Sequence, residues 1–233
     1  MKKVLRKTLN DISYFIGLER FGFLLSKRVF WRADTKRKVI ALTFDDGPNP
    51  IFTPQILEIL DDFAVHATFF LIGSNVSLQP RLTKQIFNSG HQIGNHTFTH
   101  PTLTKLGNGQ IESEILETKK AIENICSVTT LLMRPPYGLF NRKVLAITAN
   151  TNHKAVIGDV YPRDTALPGT QKLVSRVLKR TRCGSVIILH DGAPSEKISR
   201  LQTVEGLRKL IPTLQERGFR FVSLPELMDI DHT

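Results

Sequence analysis

In this chain, side chains able to bind a metal or move a proton stand immediately behind short apolar runs. Asp45 and Asp46 follow "KVIALTF" (38–44), and His96 and His100 lie in "NHTFTHP". Arg134 opens "RPPYG", Asp159 and Asp164 follow "KAVIG" (154–158), and His190 and Asp191 close "GSVIILHD" (184–191). Two imidazoles four residues apart share a face if the segment makes one helical turn, a common spacing for a metal pair. Pro101 disfavours helix at His100, so such a turn is expected to be short. Two histidines and one aspartate leave coordination positions open for water and substrate, which is a catalytic set for zinc or a similar divalent ion. Adjacent carboxylates repel each other unless a cation lies nearby, and either a metal or Arg134 would relieve Asp45 and Asp46. One of the two can then bind the metal while the other serves as general base. His190, with a pKa near neutrality, can protonate a leaving group, and Asp164 or Asp191 can hold its ring.

The elements that must position these groups alternate. "KVIALTF", "ATFFLI" (67–72), "HQIGNHT" (91–97), "TLLMR" (130–134), "KAVIG", "GSVIILHD" and "FRFVSL" (219–224) read as strands. Between them "TPQILEILDDF" (53–63), "PRLTKQIFNSG" (80–90), "GQIESEILETKKAIENI" (109–125), "NRKVLAITAN" (141–150), "TQKLVSRVLKRT" (170–181) and "TVEGLRKLIPTLQERG" (203–218) read as helices. Strands alternating with helices imply βαβ units and a parallel sheet. The expected fold class is α/β, a distorted (β/α)7-type barrel of parallel strands with outer helices. In such barrels the chemistry gathers at the C-terminal strand ends, which is where the reactive side chains fall here.

Bulk properties narrow the possibilities. The chain has 233 residues, enough for one domain with a sizeable core. Its net charge is +11, but residues 1–38 account for +8 of it, so the rest is nearly balanced. With no recognition motif beside the charge, nucleic acid is not an expected partner. Cys126 and Cys183 are isolated and read as small hydrophobes rather than a disulfide framework. The first 37 residues form a separate basic segment, in which Leu5, Leu9, Ile12 and Ile16 have helical spacing. Such a helix can lie on an anionic membrane surface or pack on the outside of the domain. Its longest uncharged run, "ISYFIGL", is too short to span a bilayer, and no small-residue cleavage site follows it. The expected location is therefore the cytoplasm or the inner membrane surface.

These motifs together resemble the NodB-homology polysaccharide deacetylases, carbohydrate esterase family four, in order over residues 38–225. The carrying residues are "TFDDGP" (43–48), "HTFTHP" (96–101), "RPPYG" (134–138) and "LHD" (189–191). The resemblance implies a deacetylase domain over 38–228, with Asp45 as general base and Asp46, His96 and His100 as metal ligands. It implies that Arg134 orients the base and that the Tyr137 backbone N–H is an oxyanion donor. It further makes His190 the acid, Asp164 its tether, and Leu189, Pro136 and Tyr137 the lining of the substrate pocket. The stretch "GDVYPRDT" (158–165) departs from the family pattern, with Thr165 in place of a tryptophan and Tyr161 in place of an aspartate.

The activity implied is removal of N-acetyl groups from amino sugars of a chitin-oligomer or peptidoglycan type by a monomeric enzyme. The cofactor implied is one divalent ion: zinc, with cobalt or nickel as alternatives. A different acyl group, or a small or lipid-linked glycan precursor, is the alternative substrate. A phosphoryl hydrolase is disfavoured, because two histidines suit a borderline metal better than magnesium and no glycine-rich phosphate loop is present. A non-catalytic carbohydrate-binding protein would show gaps among acid, base and ligands, and none is missing.

Overall fold

A computed structural model of the chain describes residues 28–193 and 198–230. The amphipathic spacing of Leu5 to Ile16 lies outside the described residues. The strands are β1 (Val29–Phe30), β2 (Val39–Asp45), β3 (Thr68–Leu71), β4 (Gln92–Asn95), β5 (Leu132–Met133), β6 (Lys154–Val156), β7 (Val186–His190) and β8 (Arg220–Phe221). The α-helices are α1 (Phe52–Asp62), α2 (Gly73–Leu78), α3 (Pro80–Asn88), α4 (Asn108–Cys126), α5 (Arg142–Asn150), α6 (Thr170–Arg180), α7 (Leu201–Glu216) and α8 (Leu224–Ile230).

The strands run in the order β1-β6-β5-β4-β3-β2-β7, with β8 beside β2, and every ladder is parallel. β2 changes neighbour along its length: Val39 and Ile40 pair with β8, and Ala41 to Asp45 pair with β7. No ladder joins β7 to β1. Single-residue bridges curl the sheet round instead, Arg32 to Ser185 and Val160 to Ile187. The result is a parallel half-barrel sheet ringed by helices, a distorted barrel whose closure is weak.

The alternation of side chains along β2 explains the layering. Ile40, Leu42 and Phe44 pack outward with Ile56 and Leu60 of α1 and Leu207 and Leu210 of α7. Val39 and Ala41 point inward with Phe70, Val156 and Val186, and Leu224 and Leu227 of α8 pack against them from the end opposite the site. All seven residues of β2 are buried, as expected of a strand covered on both faces. At the C-terminal end the inward row continues as Thr43 and Asp45, so the apolar interior gives way to a polar mouth.

The structure differs from the sequence expectation in several elements. β1 falls within the segment assigned to residues 1–37, and it pairs with β6 through Val29–Ala155 and Phe30–Val156. The sheet therefore begins by residue 29, not 38. The short helices α2 and α8 were not foreseen, and the strand expected over 130–134 narrows to Leu132–Met133. Among the described residues, no helix is long and apolar enough to cross a membrane.

Candidate active site

Asp45 ends β2 and is the register partner of His190, which ends β7. The chain then turns at Asp46, which has a left-handed φ of 72°. In an extended strand Asp46 would point to the opposite side from Asp45. The left-handed residue brings both carboxylates to one mouth, at a backbone cost non-glycine residues rarely accept.

His96 and His100 meet by a different route from the expected one. No helical turn forms between them. Thr97 and His100 both take positive φ, 66° and 59°, and the loop folds back on itself. Glu114 on α4 clamps it, accepting from the Phe98 and Thr99 amides at 2.8 Å each and from the Thr99 hydroxyl at 2.6 Å. The two rings end 4.9 Å apart. Asp46 Oδ1 lies 3.5 Å from His96 Nε2 and 3.2 Å from His100 Nε2.

These three atoms suit a cation. Asp46 and His96 are almost wholly buried and His100 nearly so, and Asp46 Oδ1 has no hydrogen-bond partner. A buried carboxylate oxygen without a donor is costly unless a positive charge faces it. His96 Nδ1 lies 2.7 Å from the Arg134 carbonyl, an acceptor, so it must carry a proton. That leaves the Nε2 lone pair directed at the common point, as in metal-ligating histidines oriented by a backbone carbonyl. Burial, then the charge of His96, pushes His100 down to about 4, so its ring is neutral and able to ligate near neutral pH. Burial alone would raise Asp46, but the positive charge of His190 and the neighbouring His96 and His100 imidazoles hold it well below the usual carboxylate range. Among the described residues, no other set of three histidine, cysteine or acidic side chains converges in this way.

On one side of this set stands Asp45, 2.5 Å from Arg134 Nη1. The guanidinium is fixed from every direction. It donates to Thr43 Oγ1 at 2.8 Å and to the Ile157 carbonyl at 2.6 Å, and it lies 4.1 Å over the Phe70 ring. Asp45 therefore has one orientation, and Arg134 is the cation that offsets its repulsion from Asp46 on that side.

On the other side stands His190. Its Nδ1 lies 2.9 Å from Asp164 Oδ1, and its backbone N–H donates to Asp164 Oδ2 at 2.8 Å. Asp164 is fully buried, so the tether fixes the ring and leaves Nε2 as the end able to act. Burial works to lower the His190 pKa, but the Asp164 charge and hydrogen bond, with Asp46 and Asp45, push it up to about 9. The sequence left Asp164 and Asp191 as alternative partners of this ring, and the structure selects Asp164.

Tyr137 sits in the short turn Pro136–Gly138 with a φ of 59°. Its ring meets His100 edge-on at 4.6 Å, and the residue is 56% exposed, which presents an aromatic side chain at the mouth. Pro136 is buried beneath the turn.

Leu189 is not in the pocket. Strand alternation from His190 carries it to the helix-facing side, where it is fully buried with Phe44, Leu173 and Leu207. Ile188 occupies the same face as His190 and packs beside Tyr161 and Ile157, so it is the β7 side chain placed toward the mouth. Asp159 also falls away from the site. It accepts from the Val186 N–H at 2.9 Å and the Ser185 hydroxyl at 3.1 Å, joining β6 to β7.

Several residues near the site went unnoticed in the sequence. Thr43 and Phe70 hold Arg134, and Asn75 donates to the Asp46 carbonyl at 3.0 Å. Tyr161, named only as a departure from a motif, has its ring 6.0 Å from that of His190, and its hydroxyl is 2.5 Å from Thr165 Oγ1. Thr43 had a readable signal, because it lies two residues before Asp45 on the same strand face.

Parallel strands whose C-terminal ends present an Asp–His–His set, flanked by a fixed carboxylate and a tethered imidazole, make the framework of a metal-dependent hydrolase. The sequence profile of the polysaccharide deacetylase family matches residues 32–156. A chitooligosaccharide deacetylase of Sinorhizobium fredii is 42% identical over 202 residues, covering 84% of this chain and 94% of that protein. A peptidoglycan-N-acetylglucosamine deacetylase of Bacillus cereus is 39% identical over 206 residues, covering 88% of this chain and 94% of its own length. The crystal structure of a peptidoglycan N-acetylglucosamine deacetylase in complex with 4-naphthalen-1-yl-N-oxidanyl-benzamide superposes with a TM-score of 0.84 at 33% identity, covering 89% of this chain and 96% of that one. The chain belongs to the NodB-homology polysaccharide deacetylases, carbohydrate esterase family four.

Proposed function

We propose that the protein is a metal-dependent deacetylase that removes N-acetyl groups from amino sugars of a chitin-oligomer or peptidoglycan type, releasing acetate. The observation that carries this reading is the convergence of Asp46, His96 and His100 between Asp45–Arg134 and His190–Asp164. Asp46, His96 and His100 would hold one divalent ion, and two imidazoles with one carboxylate favour zinc, with cobalt or nickel as alternatives. Such an ion supplies a Lewis acid that acidifies water and polarises the acyl oxygen.

The remaining work falls to side chains. Asp45, held in one orientation by Arg134, takes a proton from the attacking water. The Tyr137 N–H faces the developing oxyanion, and one such donor is worth about 3 kcal/mol at the transition state. His190, kept protonated by Asp164, delivers its proton to the departing sugar nitrogen, which would otherwise leave as an unstable amide anion. The exposed Tyr137 ring offers a flat face for a sugar. The basic N-terminal segment fits contact with an anionic membrane surface, which would bring a lipid-linked glycan within reach.

The test is a panel of N-acetylated chitin oligomers, peptidoglycan fragments and N-propionyl analogues incubated with zinc-loaded protein, with carboxylate release as the readout. Acetate from at least one amino sugar supports the reading. Release of phosphate from phosphorylated analogues, with no acetate from any glycan, would contradict it.

A further inference from the structure

Asp191 is fully buried beside the candidate site, yet the proposed mechanism gives it no role. Its carboxylate fills the space that a side chain at residue 47 would need. A Cβ on Gly47 would lie 2.1 Å from Asp191 Oδ2 and 2.6 Å from Oδ1. The neighbouring Gly192 approaches as closely, since a Cβ there would lie 2.1 Å from the Asp46 carbonyl oxygen. The turn after β2 is thus packed directly against two consecutive residues at the end of β7.

Hydrogen bonds fasten this contact. The Asp191 and Gly192 amides both donate to the Asp45 carbonyl, at 3.2 and 3.3 Å. Asp191 Oδ2 accepts from the Thr53 hydroxyl at 2.5 Å, and that hydroxyl accepts from the Asn49 amide at 2.8 Å. Asn75 donates to the Asp46 carbonyl at 3.0 Å. The Gly47 carbonyl accepts from the Ile72 amide at 3.0 Å. Every one of these contacts bears on the segment from Asp45 to Asn49, at whose centre Asp46 holds a left-handed φ of 72°. A non-glycine residue keeps that conformation only where its surroundings over-determine it.

We propose that Asp191 and Thr53 form a positioning pair that holds Asp46 in its left-handed conformation and so aims its carboxylate at the two histidines. The inference rests on the reading of Asp46 as a metal ligand. Asp191 touches neither substrate nor metal in this account. It acts through the backbone of residues 45–49, and Thr53 ties it to the first turn of α1.

The test reads metal affinity, not turnover. Zinc is titrated into the full chain in competition with a chromogenic chelator. Asp191→Ala and Thr53→Val should each weaken zinc binding, by about ten- to a hundred-fold for the former, as loss of an outer-shell support does. Thr53→Ser, which keeps the hydroxyl, should restore wild-type affinity. Gly47→Ala should weaken binding in the wild-type background, and less so when added to Asp191→Ala, because the obstructing carboxylate is then gone. Wild-type affinity in folded Thr53→Val and Asp191→Ala would overturn the inference. Should Asp191→Ala fail to fold, the Thr53 pair decides alone. A wild-type chain that binds no divalent ion would instead overturn the proposed function, so the two failures are distinguishable.

Discussion

Strand β4 carries a histidine at each end, and the two have opposite fates. His91 precedes the strand and pairs with His66, which precedes β3, at a ring separation of 5.9 Å. His96 follows the strand and pairs with His100 at 4.9 Å. Both pairs contain a buried ring pushed down to about 4, first by burial and then by its partner's charge. In isolation they look alike. The first is structural: the His91 Nδ1 accepts the Ala67 N–H at 3.3 Å, its ring packs on Phe69 at 5.3 Å, and His66 is exposed. The second gains a carboxylate oxygen at 3.2 to 3.5 Å from both rings, held there by a turn that costs backbone strain. Two neighbouring imidazoles do not make a metal site. The reading of the second pair as a metal site rests on a third candidate ligand atom fixed by the fold, at the end of the barrel where strand-to-helix loops converge.

The largest effects should separate the two pairs. His96→Ala should abolish zinc binding and acetate release, whereas His66→Ala should leave both near wild type, with bound zinc measured by elemental analysis. Zinc retained in His96→Ala at wild-type stoichiometry would erase the distinction. Asp45→Asn should keep the metal and lose about 10²- to 10⁴-fold in kcat, the usual range for a general base.

The acid side comes next. With the His190 pKa raised to about 9, the protonated ring persists through neutral pH, and kcat/KM should fall as pH rises through about 9. Asp164→Asn removes the charge that raises it, so the alkaline fall should move toward the ordinary value of 6.5. A pH profile unchanged in that variant would detach Asp164 from the acid.

The smallest effect belongs to the structural pair. His91 titrates at about 4 when folded and near 6.5 when unfolded, so the unfolded chain binds the proton first as pH falls. Its contribution to stability is complete above about 6.5 and declines toward 4. His91→Leu should flatten the acid slope of unfolding free energy by up to about 1.4 kcal/mol per pH unit, measured by urea melts, with zinc affinity unchanged.

The candidate site residues were legible because they follow apolar runs, and strand ends are where a parallel barrel gathers polar groups. What was not legible is how they converge. The spacing of His96 and His100 suggested a helical turn, but Pro101 and the Glu114 clamp favour a left-handed fold-back that no periodicity encodes. The family resemblance points to Leu189 as pocket lining, but strand alternation from His190 puts Ile188, not Leu189, on the site face. β1 is only two residues long, too short for any pattern, and its pairing with β6 is decided by the tertiary fold. Asp191 read as a possible partner of His190 because the two are adjacent in sequence. As strand neighbours they face opposite ways, and Asp191 meets Thr53 instead.

The most direct measurement is a zinc titration of chelator-stripped protein, following acetate release from an N-acetylglucosamine oligomer. The account predicts that stripping silences the enzyme, that activity returns in proportion to added zinc, and that it saturates at one equivalent per chain. Undiminished acetate release from the stripped protein would contradict it.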